Sequence, residues 1–316
     1  MIEFSVALHT YNRPEYICET IDAVLNQTVK AKEVIVIDDG STDNSEELLS
    51  KYGRAIKYIK INNVGAGNSR KRAIEECKYE WIACSDDDDV WLPEHLETLT
   101  KTILAIPQSV LVFSNYTHIG AAAKPNYNHF LTGGTKWWNK TTTRKIDNTI
   151  QLRSDSFLDL LLFNPASASN WVLNRNAYYK IGGANESYSR LNSEDADITR
   201  RMSLLGPICA NTNITVQIRK HETNMSISFA KNLLGKAKML SDYVENKVIP
   251  KKYEFATLQI HDKCIIDAFK AAYWDKDFEF ALSIYSNSNS NIFTLKNKII
   301  KNYCLLAVFV GSRRRL

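Results

Sequence analysis

Val34-Ile35-Val36-Ile37-Asp38-Asp39-Gly40 is an apolar run that stops at two acids and a glycine. A strand with one wet face alternates apolar and polar side chains. Four β-branched residues in succession instead suit a strand buried on both faces, as in a parallel sheet covered by helices. The flanking sequence repeats the theme. Upstream, Phe4, Val6 and Leu8 alternate as a strand, and Ile17, Ile21, Val24 and Leu25 line one face of a helix. Downstream, Leu48 and Leu49 belong to a short helix closed by Gly53, and Ile56, Ile59 and Ile61 mark a third strand. A third helix covers 68–77 and a fourth strand 79–84, and Pro93 opens a fourth helix with Leu96, Leu99 and Ile103. This alternation predicts an α/β fold with a mostly parallel sheet flanked by helices. Ligands on such sheets bind at the carboxyl ends of the strands. The polar clusters His9-Thr10-Tyr11-Asn12, Asp38-Asp39 and Asp86 to Asp89 fall there.

Beyond this half, Val110 to Tyr116 reads as a strand, and 120–148 as a long loop with little periodicity. Its Trp137-Trp138 pair suits stacking on sugar rings or folding back onto the core. Trp171-Val172-Leu173 reads as another strand. Ile198, Met202 and Leu205 give a helix face ended by Gly206-Pro207. From about Ala230 helical patterning takes over, which predicts a catalytic domain at 1–228 and a helical extension at 229–316.

The 316 residues are 44% hydrophobic and 24% charged, enough to bury a sizeable core without staples. The net charge of +5 is spread along the chain and comes without a zinc or RNA-binding motif, so a nucleic-acid partner is not expected. The six cysteines lack metal-ligand spacing and read as buried free thiols of a reducing cytoplasm. The sequence opens straight into a strand with no signal-peptide pattern. Tyr303 to Val310 is far shorter than the roughly 20 apolar residues a spanning helix needs. A cytoplasmic protein is expected, with peripheral contact at the inner face of the membrane as an option. For that contact the segment 295–316 mixes apolar residues with Lys296, Lys298, Lys301 and Arg313-Arg314-Arg315. A helix packed on its own domain, with a solvated basic tail, is the other reading.

Asp86-Asp87-Asp88-Asp89 is the sharpest chemical signal. Tyr79 to Cys84 leads in and Val90-Trp91-Leu92-Pro93 leads out, which pins the acids where a buried strand ends. In an extended segment Asp86 and Asp88 would point the same way. Two carboxylates about 4 Å apart repel by about 1 kcal/mol in water and about 4 kcal/mol at an effective dielectric near 20. A hard divalent cation, Mg²⁺ or Mn²⁺, turns that repulsion into a binding site.

Taken together, these motifs resemble the family 2 glycosyltransferases of the GT-A fold. Thr10-Tyr11-Asn12-Arg13-Pro14 is similar to that family's first strand exit, Val36 to Asp43 to its second, and Ser85 to Pro93 to its D-x-D segment. Gly182-Gly183-Ala184-Asn185-Glu186 and Ser193-Glu194-Asp195 follow in the family's order, so the resemblance covers about residues 3–225. It implies an inverting transfer from a nucleotide-diphosphate sugar to a glycan or lipid-linked saccharide hydroxyl, in bacterial surface polysaccharide biosynthesis. Thr10, Tyr11, Arg13 and Asp39 would serve the nucleotide, with Asp39 accepting from the base, which favours a UDP-sugar. Arg70 would lie near the anionic donor, where the family's Ala-Arg-Asn is replaced by Ser69-Arg70-Lys71. Asp86 and Asp87 would face the ribose or donor sugar, and Asp88 the metal, with His221 completing its coordination. Glu194 would contact substrate. Asp195 would deprotonate the acceptor, kept ionised by the start of its helix. Acids at Asp38-Asp39 and Glu194-Asp195 also suit plain helix starts. Two rivals accompany this reading: a sugar transferase acting on a polyprenyl phosphate, and an inactive nucleotide-sugar or glycan-binding module.

Overall fold

A computed structural model describes residues 2–189, 194–221 and 228–313. They form two compact units, residues 2–189 with 194–221, and residues 228–313. In the first unit the strands are β1 (Phe4–Thr10), β2 (Glu33–Asp38), β3 (Lys57–Lys60), β4 (Trp81–Ser85), β5 (Val90–Trp91), β6 (Leu111–Ile119), β7 (Thr142–Ile146), β8 (Thr149–Leu152), β9 (Trp171–Asn174) and β10 (Ile208–Arg219). They make a mixed sheet in the order β3-β2-β1-β4-β9-β6-β10-β8-β7, with β5 against β10. The first four strands run parallel to one another, as does β10 beside β6. Strand β9 lies antiparallel between β4 and β6.

The helices of this unit are α1 (Ile17–Leu25), α2 (Ser45–Ser50), α3 (Ala66–Glu76), α4 (His95–Ala105), α5 (His129–Thr132), α6 (Gly134–Thr141), α7 (Phe157–Leu162), α8 (Arg175–Lys180) and α9 (Glu194–Met202). Alternation within the strands explains why both faces are covered. Ile35, Ile37, Ile82 and Cys84 point to one side and pack with Ala73 and Ile74 of α3, Tyr178 of α8 and Ile198 of α9. Val34, Val36, Trp81 and Ala83 point to the other, against Ile17 and Ile21 of α1 and Leu96 and Leu99 of α4.

The second unit is helical: α10 (Phe229–Glu245), α11 (Lys251–Trp274), α12 (Phe278–Ser286) and α13 (Leu295–Arg313). Its core gathers Ala268, Phe269, Ala281, Ile284, Phe293 and Cys304. No helix among the described residues is long and apolar enough to cross a membrane.

Three expectations need correction. The 120–148 segment is not a structureless loop, since it holds α5, α6 and β7. Trp137 is buried and donates to the Asp159 carbonyl at 3.1 Å, and Trp138 donates to that of Phe130 at 2.7 Å. The pair thus folds onto the core, because an indole N–H needs a partner once its ring is buried. Leu205 is not part of the α9 face, as that helix stops at Met202 and Leu205 is exposed. All six thiols are free, but Cys18 is only half-buried.

Candidate active site

The ends of β1, β2 and β4 place the polar clusters side by side, and backbone bonds fix them there. The Asp39 N–H donates to the Thr10 carbonyl at 2.8 Å. Asn12, at φ +51°, receives the Thr42 N–H on its Oδ1 at 2.9 Å and donates its own N–H to Ser41 at 3.0 Å. Such a side-chain bridge lets an asparagine hold a left-handed turn. Thr10 is buried while Tyr11 is exposed, so the β1 exit carries an aromatic ring out to the rim.

Both Asp39 oxygens accept backbone N–H groups, from Val64 at 2.7 Å and Gly65 at 2.9 Å. Asp38 accepts from Ser41 N–H at 2.7 Å and from the Tyr58 hydroxyl at 2.6 Å. These carboxylates shape the entry to α3, which starts at Ala66, two residues earlier than expected. At Gly67 that helix approaches the loop before α9 closely. A Cβ there would lie 2.7 Å from Ser189 Cα and 3.2 Å from Glu194 Cγ, so no larger residue fits without displacing backbone.

The aspartate run does not continue as a strand. The chain turns at Asp87 and Asp88 after β4, so Asp86 and Asp88 do not share a face. Asp86 Oδ1 pairs with Arg70 Nη2 at 2.5 Å, and Asp88 Oδ2 meets His221 Nε2 at 2.9 Å. Asp87 accepts the Tyr11 N–H at 3.2 Å, and Asp89 the Arg219 N–H at 2.8 Å. Reversal into β5, which pairs antiparallel with β10, requires this turn and overrides strand alternation. Burial and the neighbouring Asp88 push the Asp87 carboxyl up to about 7. Burial and Asp86 raise Asp88 against the pull of His221 and Arg13, and burial and Asp88 raise Asp89 well above the ordinary value. For Asp86 burial opposes the charge, but Arg70 and His9 outweigh it and hold the carboxyl low.

Two groupings of the expected residues result. In one, His221 lies against Asp88, with Arg13 Nη1 at 3.4 Å from the same ring nitrogen and Tyr16 stacked on the imidazole at 5.5 Å. In the other, Arg70 bridges Asp86 and Glu194; Arg70 and Glu194 are largely withdrawn from solvent, and Asp86 is partly exposed. Two carboxylates thus share the charge of Arg70, which the resemblance places near an anionic donor. Asp195 follows Glu194 in the first turn of α9 and accepts the Ala196 N–H at 2.6 Å. Although its side chain keeps some contact with solvent, burial and the adjacent Glu194 push its carboxyl up to about 7, with Arg70 pulling the other way. The helix start does not keep it fully ionised, because the dipole is worth only about 0.3–1 kcal/mol at an exposed end.

Sequence reasoning passed over two contributors. His9, buried in β1, has no hydrogen-bond partner for Nδ1 among the described residues, and burial and Arg70 push it down to about 4. A polar residue inside an otherwise apolar buried strand was its signal. Arg219, at the end of β10, donates Nε to the Asp88 carbonyl at 2.9 Å and pairs with Glu19 at 2.5 Å. Nothing local in the sequence marks it.

Among the described residues no set of three or more His, Cys, Asp or Glu gathers in metal-binding geometry. The Asp88–His221 pair does offer one carboxylate oxygen and one imidazole nitrogen converging within 2.9 Å. That donor set fits a divalent cation whose remaining positions are filled by phosphate oxygens and water.

Residues 5–159 match the family model described as Glycosyl transferase family 2. The chain is 29% identical over 245 residues to the cholesterol galactosyltransferase of Borreliella burgdorferi, across 63% of this chain and 68% of that one. It spans 14% to 44% of the length of other bacterial relatives it matches. In fold it is similar to S. aureus TarS 1–349 in complex with UDP, with a TM-score of 0.61, 17% identity, and 90% of this chain and 80% of that one covered. The mannosyltransferase PcManGT of Pyrobaculum calidifontis, in complex with GDP-Man and Mn²⁺, aligns with a TM-score of 0.57 at 14% identity, over 98% of this chain and 79% of that one.

Proposed function

We propose, because the chain belongs to the family 2 glycosyltransferases, that it transfers a sugar from a UDP-sugar to a hydroxyl of a saccharide acceptor with inversion. Residues 1–228 would carry the reaction, and 229–316 would serve attachment. The observation that carries this reading is the meeting of Asp88 with His221 beside the Arg70–Asp86–Glu194 bridge. The first supplies a cation site and the second sets the wall beside Asp195. Mn²⁺ or Mg²⁺ bound by Asp88 and His221 would supply Lewis-acid stabilisation to the departing diphosphate. Thr10, Tyr11 and Asp39 would form the nucleotide wall, with Asp39, held in place by the Val64 and Gly65 amides, accepting from the base. Arg13 would lie toward the diphosphate. Asp195 would take the proton from the acceptor hydroxyl as that oxygen bonds to the anomeric carbon and the bond to the diphosphate breaks on the opposite face. A carboxyl pushed up to about 7 suits this step, since a base works best near the ambient pH. The setting proposed is bacterial surface polysaccharide biosynthesis, in the cytoplasm and against the inner face of the membrane. Bacterial relatives support it.

The test is release of UDP or GDP from a panel of nucleotide sugars with Mn²⁺ present, followed by magnetic resonance of the product anomer. Asp195→Asn should lower turnover by about 10²–10⁴-fold and leave UDP affinity within a few-fold. Turnover of the native enzyme should rise with pH through about 7 as Asp195 ionises. A retained anomer, or native turnover in Asp195→Asn, would identify a different base.

A further inference from the structure

Helix α13 packs one face on its own unit and turns a second apolar ridge outward. Its inward face places Cys304 and Asn297, both buried, toward the second unit, with Ile300 packed on that unit's core. Its outward face carries Leu295, Ile299, Tyr303 and Leu306, each more than half exposed. At about 100° per residue these four fall within an arc of about 80°, with Lys296 at one border and Lys298 at the other. Leu305 lies exposed beyond the Lys298 border. Tyr303 meets the rings of Tyr273 and Phe278 at 5.8 Å each, and Trp274, next to Tyr273, is itself exposed. The stripe therefore continues into an aromatic patch on the neighbouring helices. Between residues 280 and 316 every charged side chain is basic: Lys296, Lys298, Lys301, Arg313, Arg314 and Arg315.

We infer that α13 lies flat on an anionic lipid surface, sinking Leu295, Ile299, Tyr303 and Leu306 among the acyl chains while Lys296 and Lys298 meet headgroup phosphates. The argument concerns α13 and its neighbouring helices alone and does not depend on the sugar-transfer reading. A single outward ridge is the wrong shape for gripping a small molecule, and an apolar patch of this kind marks an interaction surface. Single-signed charge along both borders selects a negatively charged partner. Aliphatic residues beside tyrosine and tryptophan match the chemistry of the bilayer interface.

The experiment is sedimentation of the full chain with vesicles of phosphatidylcholine alone or with about one third phosphatidylglycerol. Binding should be strong only to the anionic vesicles and should weaken with salt. Leu295→Ser/Ile299→Ser/Leu306→Ser should bind at least tenfold more weakly. Lys296→Gln/Lys298→Gln should lose about 25-fold, a lysine near the surface being worth about fivefold. These side chains face outward, so circular dichroism should remain native in both variants. Native chain left in the supernatant of both vesicle types would overturn the inference, as would a serine variant that binds like the native chain. Light scattering that finds a native dimer, lost in the serine variant, would assign the stripe to a second copy instead.

Discussion

At the end of β2, Asp38 and Asp39 spend their acceptor oxygens on the surrounding chain: Ser41, Tyr58, Val64 and Gly65 each donate to one of them. At the end of β4, Asp86 to Asp89 fan out around a turn, and the donors they meet do not settle four charges. Burial and mutual repulsion push Asp87 up to about 7 and raise Asp88 and Asp89. Both regions begin from the same pattern, an apolar strand running into consecutive acids. One uses its carboxylates as struts, and the other stores repulsion that a cation can relieve. Runs of acids at strand ends are therefore separated by their donors rather than by their number.

The largest effect on ligand affinity should come from breaking the second region at Asp88. In Asp88→Ala the imidazole of His221 loses its carboxylate, and affinity for UDP in Mn²⁺ should fall at least as far as the roughly 10–100-fold that even an outer-shell partner costs. Calorimetry with and without EDTA checks this, and equal affinities would remove the cation from the comparison. Next is the bridge that restrains Asp86. Arg70→Met leaves the buried Glu194 and the partly exposed Asp86 unpaired and should cost about 3 kcal/mol of unfolding free energy, the low end for a broken buried pair. Arg70→Lys should recover part of it in the same urea titrations.

Two isosteric substitutions then sharpen the contrast, because they should have opposite signs. Asp39→Asn turns an amide group toward the Val64 or Gly65 N–H and should destabilise by about 1–3 kcal/mol. Asp87→Asn should stabilise. The Asp87 pKa is higher in the folded chain than in the unfolded one, so the folded state holds the proton longer. Stability from this group is therefore full below about pH 4 and is lost as pH rises toward about 7. The ceiling is about 4 kcal/mol, and a gain of about 1–2 kcal/mol at pH 8 in EDTA, absent at pH 4, is expected from melts at the two pH values. A loss of stability at pH 8 would put Asp87 among the struts.

The legible part of this molecule is what local periodicity encodes. Val34 to Ile37, the alternating Phe4, Val6 and Leu8, and the α1 face each reveal their burial within a few residues. What escaped depends on partners distant in sequence. Arg70 and Glu194 are 124 positions apart, and the meeting of Asp88 with His221, 133 apart, was expected from the family resemblance and not from any local pattern. Nothing in Ser69-Arg70-Lys71 says that a carboxylate waits there. The turn at Asp87-Asp88 escaped because strand alternation was extended past the point where β5 must reverse. Trp137 and Trp138 were ambiguous because a tryptophan pair in a polar stretch suits a ligand or a core equally. Only the Asp159 and Phe130 carbonyls decide between them.

The place of β9 in the sheet bears on how the chain reaches this state during synthesis. Strands β1 to β4 are complete once residue 85 is made, and with α1 and α3 they can pair from local contacts. Neither β4 nor β6 gains its antiparallel neighbour until residues 171–174 appear. For some 85 further residues the β4 edge is an open template beside an apolar strand, the condition that invites wrong pairing with another chain. Closure of the sheet is therefore a late, long-range event, of the kind that slows folding. Fragments that stop before Trp171 should emerge from the ribosome prone to aggregate, whereas those that extend past Arg219, where β10 has also covered β6, should not.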